Sequence, residues 1–122
     1  MIAHIVLFNP KLGLTTEQLG SFAQAIQDVT RQTTTVRRAL VGRAVHIVPS
    51  YPRSLGDQTY EFAAILEFDG VAELTEYLEH PNHRVLGRLF WDYCGSAVVM
   101  EAELRDALVE DLTPALLTKP TA

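Results

Sequence analysis

Tyr60-Glu61-Phe62-Ala63-Ala64-Ile65-Leu66-Glu67-Phe68 is the stretch of sequence that decides the fold. Side chains alternate between the two faces of a strand. One face of this strand is therefore predicted to carry Tyr60, Phe62, Ala64, Leu66 and Phe68. The other face carries Ala63 and Ile65 and is also apolar. Such a strand needs cover on both sides, which predicts a sheet with helices on one face and a second layer on the other.

The residues before this strand predict its partner in a hairpin. Val36 to Val48 is rich in valine and alanine, which is typical of a long strand, and Gly42 is the expected position of a β-bulge. Residues 49 to 57 are rich in proline, serine and glycine, which predicts a loop between the two strands. The two strands therefore form the expected central hairpin of the chain.

A strand and a helix are expected ahead of the hairpin. Ile2 to Phe8 is apolar and rich in β-branched residues, so it predicts a buried strand that Pro10 ends. Thr15-Thr16-Glu17-Gln18 has the pattern of a capping box, which predicts a helix over residues 16 to 31. The expected apolar stripe of this helix consists of Leu19, Phe22, Ala23, Ile26 and Val29.

Two helical segments and a last strand are expected after the hairpin. Asp69 is the predicted N-cap of the first segment, and His80 ends it because the residue before a proline avoids the α conformation. Pro81 suits the first turn of the second segment, which Gly95 ends. The expected buried positions are Val71, Leu74, Tyr77 and Leu78, and then Val85, Leu86, Leu89, Phe90 and Tyr93. Ser96 to Leu104 predicts the last strand.

The resulting order is β-α-β-β-α-β, the split βαβ arrangement of a ferredoxin-like α+β fold. Residues 1 to 104 form the predicted domain, and residues 105 to 122 form a C-terminal extension. Pro114 interrupts a leucine repeat in the extension, so a short helix to about residue 112 and then a loose end are expected. One face of such a sheet is bare of helices, and a homodimer that packs sheet on sheet is the expected cover.

Composition restricts the class of protein. The chain has 122 residues, of which 48% are hydrophobic and 20% charged, which suits one globular domain. A net charge of -5 argues against nucleic-acid binding, and Arg37, Arg38 and Arg43 do not share one face of a strand. The apolar N-terminus is too short for a signal sequence or a membrane span. With the single Cys94, which cannot form an internal disulfide, these features predict a cytoplasmic protein without nucleic-acid or membrane partners.

Two stretches resemble a known family. Met1-Ile2-Ala3-His4-Ile5-Val6-Leu7-Phe8 is similar to the opening strand of the stress-responsive dimeric α/β-barrel (Dabb) proteins, which carries a histidine near its start. Tyr77-Leu78-Glu79-His80-Pro81-Asn82-His83 is similar to their tyrosine followed by His-Pro-x-His at a helix break. The resemblance covers residues 1 to 104. It implies a homodimer, a cavity between sheet and helices that binds a small molecule, and no cofactor or metal.

The resemblance also implies roles for individual residues. In members similar to olivetolic acid cyclase, which carry out an intramolecular aldol condensation without a cofactor, the residue matching His83 is the base and the residue matching Tyr77 contacts the substrate. His4 is implied to lie near the substrate. Phe62 stands where those proteins have a further cavity histidine, so it is also a predicted substrate-binding residue, and the difference leaves the cyclase reaction open. His80 is a further candidate for substrate binding.

Other interpretations of the same residues stay open. Imidazole suits a general base near neutral pH, but His83 could instead hydrogen-bond a backbone carbonyl, and His80 could serve only to cap a helix end. Pro81 disturbs the turn between them, so they are not expected to bind a metal. Whether the chain is an enzyme is also open. The alternatives are a cyclase or lyase, a cofactor-independent monooxygenase of the same superfamily, and a non-catalytic ligand-binding stress protein.

Overall fold

A computed structural model of the protein describes residues 1–47 and 58–117. In chain order the elements are β1 (Ile2–Pro10), α1 (Thr16–Gln32), β2 (Arg38–Arg43), β3 (Phe62–Phe68), α2 (Val71–Glu79), α3 (Pro81–Tyr93), β4 (Cys94–Glu103) and α4 (Thr113–Leu117). Because α2 and α3 follow each other directly, they take the place of the second helix. The predicted β-α-β-β-α-β order and the ferredoxin-like α+β class are confirmed.

The four strands form one antiparallel sheet in the order β2-β3-β1-β4. Residues directly opposite each other share a face of the sheet. The register pairs Ile2, His4, Val6 and Phe8 with Phe68, Leu66, Ala64 and Phe62. These eight residues define the helix-covered face. It includes Phe62, Ala64, Leu66 and Phe68, which were predicted to share one face of β3. The hydrophobic core consists of Phe8, Ala64, Leu66 and Phe68 of this face together with Phe22, Val29, Leu74 and Tyr77 of the helices.

Within the described ranges the buried core residue of the opposite face is the small Ala3, and the main core cluster lies on the helix-covered face. Four apolar side chains cross it from strand to strand, and we call them the open-face row: Leu40, Ile65, Ile5 and Met100. The end members Leu40 and Met100 are 47% and 55% exposed. A sheet face with this composition has the apolar character that was predicted from Ala63 and Ile65.

The N-terminus of α1 forms the predicted capping box. The Thr15 hydroxyl accepts a hydrogen bond from the Gln18 N–H at 3.1 Å, and the Gln18 side chain accepts one from the Thr15 N–H at 2.8 Å. The buried residues of α1 are Phe22, Ala25 and Val29. The predicted stripe was therefore partly wrong, since Leu19 and Ala23 are exposed. The buried side is centred on the i, i+3, i+7 positions that start at Phe22.

The strand β2 is shorter than predicted and has no bulge. It ends at Arg43, and its pairing with β3 continues without a shift through Gly42 and Ala63. The register shift of the sheet lies instead between Asn9 and Pro10, where β1 pairs with β4. Proline has no N–H to contribute to a ladder, which explains why the irregularity is found there. The loop predicted from residue 49 to 57 lies outside the described residues.

His80 separates α2 from α3, as predicted. Its φ of -62° and ψ of 137° are extended, and its Nδ1 accepts a hydrogen bond from the Asn82 N–H at 3.1 Å. The predicted N-cap of α2 was wrong, because Gly70 occupies that position. Asp69 accepts hydrogen bonds from Arg37 at 2.9 and 2.6 Å instead, so its carboxylate is engaged by a guanidinium and not by the helix.

The buried side of α2 and α3 is narrower than predicted. Leu74 and Tyr77 are buried, and the residues packed against the core are Leu78, Leu86, Leu89, Phe90 and Tyr93. The predicted core residues Val71 and Val85 are 65% and 53% exposed. Val71 is the first residue of α2 and Val85 lies in α3, and both side chains are mostly exposed to solvent.

The C-terminal extension is exposed at every described position from 105 to 117. The predicted helix to about residue 112 was wrong, because this part forms a turn and the helix α4 lies beyond it. Pro114 does not interrupt a helix but lies in the first turn of α4, where the N–H that proline lacks is not needed. The predicted loose end after α4 falls outside the described residues.

Removing all residues after Leu104 is expected to leave a cooperatively folded protein. The described side chains beyond this point are exposed, so their loss takes little apolar surface out of the core. Thermal denaturation of the shortened and full chains, followed by circular dichroism, should give melting temperatures within a few degrees of each other. An insoluble or unfolded shortened chain would place the extension inside the domain.

Candidate functional site

A cavity of about 300 Å³ lies between the helix-covered face of the sheet and the helices. Most of its wall is apolar and comes from Phe8, Phe22, Ile26, Leu66, Leu86 and Phe90. Its polar groups are the side chains of His4, Tyr77, His83 and Glu101. An apolar cavity with a few polar groups is the usual form of a small-molecule site.

Tyr77 reaches the cavity from α2 and lies between the two histidine rings. Its ring centroid is 5.9 Å from that of His4 and 4.9 Å from that of His83. Burial raises the pKa of Tyr77 to about 12, so its hydroxyl stays protonated at neutral pH. No hydrogen bond within the described residues engages this hydroxyl. It is therefore available to donate a hydrogen bond to a ligand.

His83 lies in the first turn of α3, directly after the break that His80 and Pro81 produce. Burial and the neighbouring His4 lower the pKa of His83 below its usual value of 6.5, while a hydrogen bond to the backbone of Leu78 acts in the opposite direction. The imidazole is consequently neutral at pH 7. The neutral form is the one that can accept a proton from a substrate.

His4 is oriented by Glu101, to which no sequence pattern points. The His4 Nδ1 lies 2.9 Å from the Glu101 Oε1. Since an ionised carboxylate can only accept hydrogen bonds, the His4 Nδ1 carries the hydrogen and donates it. His4 is buried, whereas the Glu101 side chain is 46% exposed. The pairing of β1 with β4 places the two residues opposite each other, so Glu101 could be found only by knowing the register.

Two of the five site residues predicted from the sequence lie outside the cavity lining. Phe62 stacks on Phe8 with 5.5 Å between ring centroids, and Arg43 lies over its ring at 5.0 Å. Phe62 therefore supports the cavity wall from behind. His80 serves as the N-cap of α3. The structure brings together the other three predicted residues, which are His4, Tyr77 and His83.

One edge of the cavity is formed by residues of α3 that the sequence reasoning did not single out. Gly87 and Trp91 line the cavity together with His83, at intervals of four residues along the helix. This spacing puts them on one face of α3. Trp91 is 84% exposed and marks the opening to solvent. The i, i+4, i+8 pattern that starts at His83 is the signal by which they could have been found.

A second concavity of about 770 Å³ lies on the open face, along the ends of β2 and β3. It is larger than the first but contains none of the predicted site residues except Phe62. Its lining includes Leu40 and Ile65 of the open-face row. We therefore place the candidate site in the smaller cavity, where the histidines and Tyr77 meet.

Two kinds of feature are absent from the described residues. No group of three or more histidine, cysteine, aspartate or glutamate side chains in residues 1–47 and 58–117 could hold a metal ion. The described helices also include none that is long and apolar enough to cross a membrane.

Comparison of sequences identifies a matching family. A family model described as Stress responsive A/B Barrel Domain matches residues 2–104. Among curated protein sequences, none is a significant match.

Solved structures share the fold over most of their length. A hydroxynitrile lyase from Passiflora edulis is 17% identical, with a TM-score of 0.73 over 87% of this chain and 94% of that one. A Dabb family protein with a ferredoxin-like fold from Mesorhizobium loti is 20% identical, with a TM-score of 0.66 over 86% and 97%. A dimeric ferredoxin-like protein of unknown function from Thermobifida fusca is 21% identical, with a TM-score of 0.65 over 84% and 90%. At these identities the likeness shows the fold alone.

Proposed function

Because the chain belongs to the stress-responsive A/B barrel domain family, we propose that its cavity binds a small aromatic or polyketide-like molecule on which His83 acts as a general base. The observation that carries this proposal is the convergence of His4, Tyr77 and His83 on one apolar cavity. These residues come from β1, α2 and α3, and nothing in the local sequence requires them to meet.

The reaction class that fits this arrangement makes or breaks a carbon–carbon bond next to a carbonyl group. His83 is neutral and can remove a proton from a hydroxyl or from an activated carbon. Tyr77 retains its proton and can donate a hydrogen bond to the substrate oxygen on which negative charge develops. Glu101 fixes the ring of His4 beside them. This chemistry needs no cofactor.

A lyase reaction has more support than a cyclase reaction. Phe62 occupies the place of a histidine in the cyclase-like members, and a protein of the same fold is a hydroxynitrile lyase. In such a cleavage His83 would take the hydroxyl proton, and the oxygen electron pair would form the carbonyl. The bond to the nitrile carbon would break, and cyanide would leave with the bonding electrons. The imidazolium would then protonate cyanide, which restores the neutral base.

Mandelonitrile, an aromatic hydroxynitrile, is the substrate with which we would test this proposal. We expect the protein to release benzaldehyde faster than the same concentration of free imidazole does, because the cavity holds the substrate against the base. Absorbance of benzaldehyde gives the rate. No acceleration would remove the lyase reaction from the proposal.

A non-catalytic ligand-binding protein is the second candidate, and the mostly apolar lining favours it. Native mass spectrometry of the purified protein distinguishes the two. An intact small molecule that stays bound while mandelonitrile is not cleaved would favour binding without reaction. Nothing in the described residues favours a monooxygenase.

We also propose that a second copy of the chain covers the open-face row of Leu40, Ile65, Ile5 and Met100. An apolar sheet face left in water is unfavourable, and a self-complementary contact is the common way to cover it. Proteins of the same fold from Thermobifida fusca and Bacteroides fragilis are described as dimeric, which supports this arrangement.

A further inference from the structure

His83, Gly87 and Trp91 form a column along the side of α3 that faces the cavity. An α-helix rises 1.5 Å per residue, so the Cα atoms of His83 and Trp91 are about 12 Å apart. Side chains four residues apart lie above one another on a helix. Between the imidazole and the indole, Gly87 therefore leaves a gap of one side chain.

The fold itself gives no reason for glycine at position 87. A glycine inside a helix lowers stability relative to alanine. Such a glycine is required where the backbone is left-handed or where another group approaches closely. Gly13 is the glycine with positive φ among the described residues, and a Cβ at Gly87 would meet no heavy atom within 4 Å. Neither requirement applies to Gly87.

The empty space beside Gly87 belongs to the cavity. Gly87 is half-buried and lines the cavity wall, so the space that its missing side chain leaves free adjoins the cavity. Gly20 in α1 provides a contrast, because it also meets no atom within 4 Å but is exposed and lies outside the cavity lining.

Trp91 bounds this space on the side towards solvent. It is the single tryptophan of the chain and is 84% exposed. None of the ring contacts among the described residues involves it. A broad aromatic face that is free at the opening of an apolar cavity is suited to stack on a planar ring.

We infer that Gly87 is a specificity-determining residue, which forms the floor of a slot between His83 and Trp91 that admits a planar conjugated group of the ligand. This inference rests on the proposed binding function of the same cavity. The helix backbone at Gly87 lies close to one edge of the planar group, and the indole stacks on its face. A polar substituent of the group can then reach His83. A saturated ring of similar size is thicker than an aromatic ring and is expected to bind less tightly in this slot.

The test compares 4-propylphenol with 4-propylcyclohexanol, which differ in the planarity of the ring. Trp91 lies at the slot, so its fluorescence reports binding of both probes, and calorimetry gives an independent affinity. The protein is expected to bind the phenol at least about tenfold more tightly. Gly87→Leu is expected to lower the affinity for the phenol at least tenfold, whereas the matched Gly20→Leu leaves it unchanged.

Alanine variants separate the slot from helix stability. Both Gly87→Ala and Gly20→Ala are expected to raise the melting temperature, by about 2 to 5 °C, because alanine favours the helix. Only Gly87→Ala should weaken binding of the phenol, by about threefold. If Gly87 had only a structural role, Gly87→Ala would change the melting temperature without weakening the binding of the phenol.

Each contrary result has a distinct meaning. Equal binding of the phenol by Gly87→Leu and the parent, or equal binding of the two probes by the parent, would overturn the slot and leave the proposed cavity function intact. Failure of the parent to bind either probe would overturn both.

Discussion

Replacement of His83 by glutamine is expected to lower turnover by two to four orders of magnitude, the usual contribution of a general base. Glutamine can still donate and accept hydrogen bonds but cannot take up a proton near neutral pH. Its effect on stability should be small, because His83 is only half-buried. Steady-state rates of benzaldehyde release from mandelonitrile, together with thermal melts, measure both effects.

His80→Gln is the matched control for this substitution. It makes the same chemical change three residues away, at a side chain that caps α3 and lies outside the cavity lining. We expect it to lower stability by about 1 kcal/mol through loss of the cap and to leave turnover nearly unchanged. If His83→Gln melts far below the parent and yet keeps its rate, His83 is a structural residue and the proposed base is wrong.

Titration of His83 is expected to determine the pH dependence of both turnover and stability. Because the pKa of His83 is lowered in the folded state, kcat/KM is expected to rise with pH with a midpoint below 6.5 and to level off above that midpoint. Ionisation of Tyr77, with its pKa of about 12, causes no loss in the neutral range. The stability of the folded protein is expected to change with pH in the same direction as turnover. The unfolded chain binds a proton at His83 more readily, so folding is weakened as the pH falls through 6.5 towards the folded pKa. His83→Gln should be less sensitive to acid.

Substitution of Ile65 by lysine is expected to dissociate the proposed homodimer. Ile65 lies inside the open-face row, between Leu40 and Ile5, so an ammonium group there would be buried by the second subunit without a partner. Such a penalty of about 3 to 5 kcal/mol corresponds to an increase in the dissociation constant of more than a hundredfold. Sedimentation velocity should show twice the chain mass for the parent and a monomer for the variant.

Val85→Lys is the control for the dimer. It adds the same charge at an exposed valine of α3, outside the open-face row, and should leave the dimer intact. Leu40→Lys, at the edge of the row, provides a second variant if Ile65→Lys does not fold. A parent protein that is a stable monomer at micromolar concentration would contradict the proposed arrangement.

The parts of the fold that follow from local sequence were predictable. The alternation in β3 assigns Ala64, Leu66 and Phe68 to the buried face, because side chains two residues apart in a strand point to the same face. The break at His80 follows from a steric clash with the next residue, Pro81. That Tyr77 and His83 belong to one site was implied by the family resemblance and not by local sequence rules.

The errors arise where a distant residue decides the outcome. Asp69 has the chemistry of a helix cap, but Arg37, which is 32 residues away, binds its carboxylate. Glu101 looks like one of several charges on a strand until β1 pairs with β4 and sets it against His4, 97 residues earlier. The register between β1 and β4 cannot be predicted from the spacing of residues in the sequence. Gly42 was an expected bulge by composition alone, yet the ladder runs through it unchanged.

The position of β1 in the middle of the sheet has a consequence for how the chain folds as it is made. β1 leaves the ribosome before the other three strands, but one of its two neighbours in the sheet is β4, which is completed only at Glu103. Until then the strand that carries His4 has an unsatisfied hydrogen-bonding edge, and the growing chain cannot close its sheet. Contacts of such long sequence separation slow folding and leave apolar strands exposed in the meantime. Pausing of translation before β4 has emerged from the ribosome should therefore promote aggregation, whereas pausing after it has emerged should not.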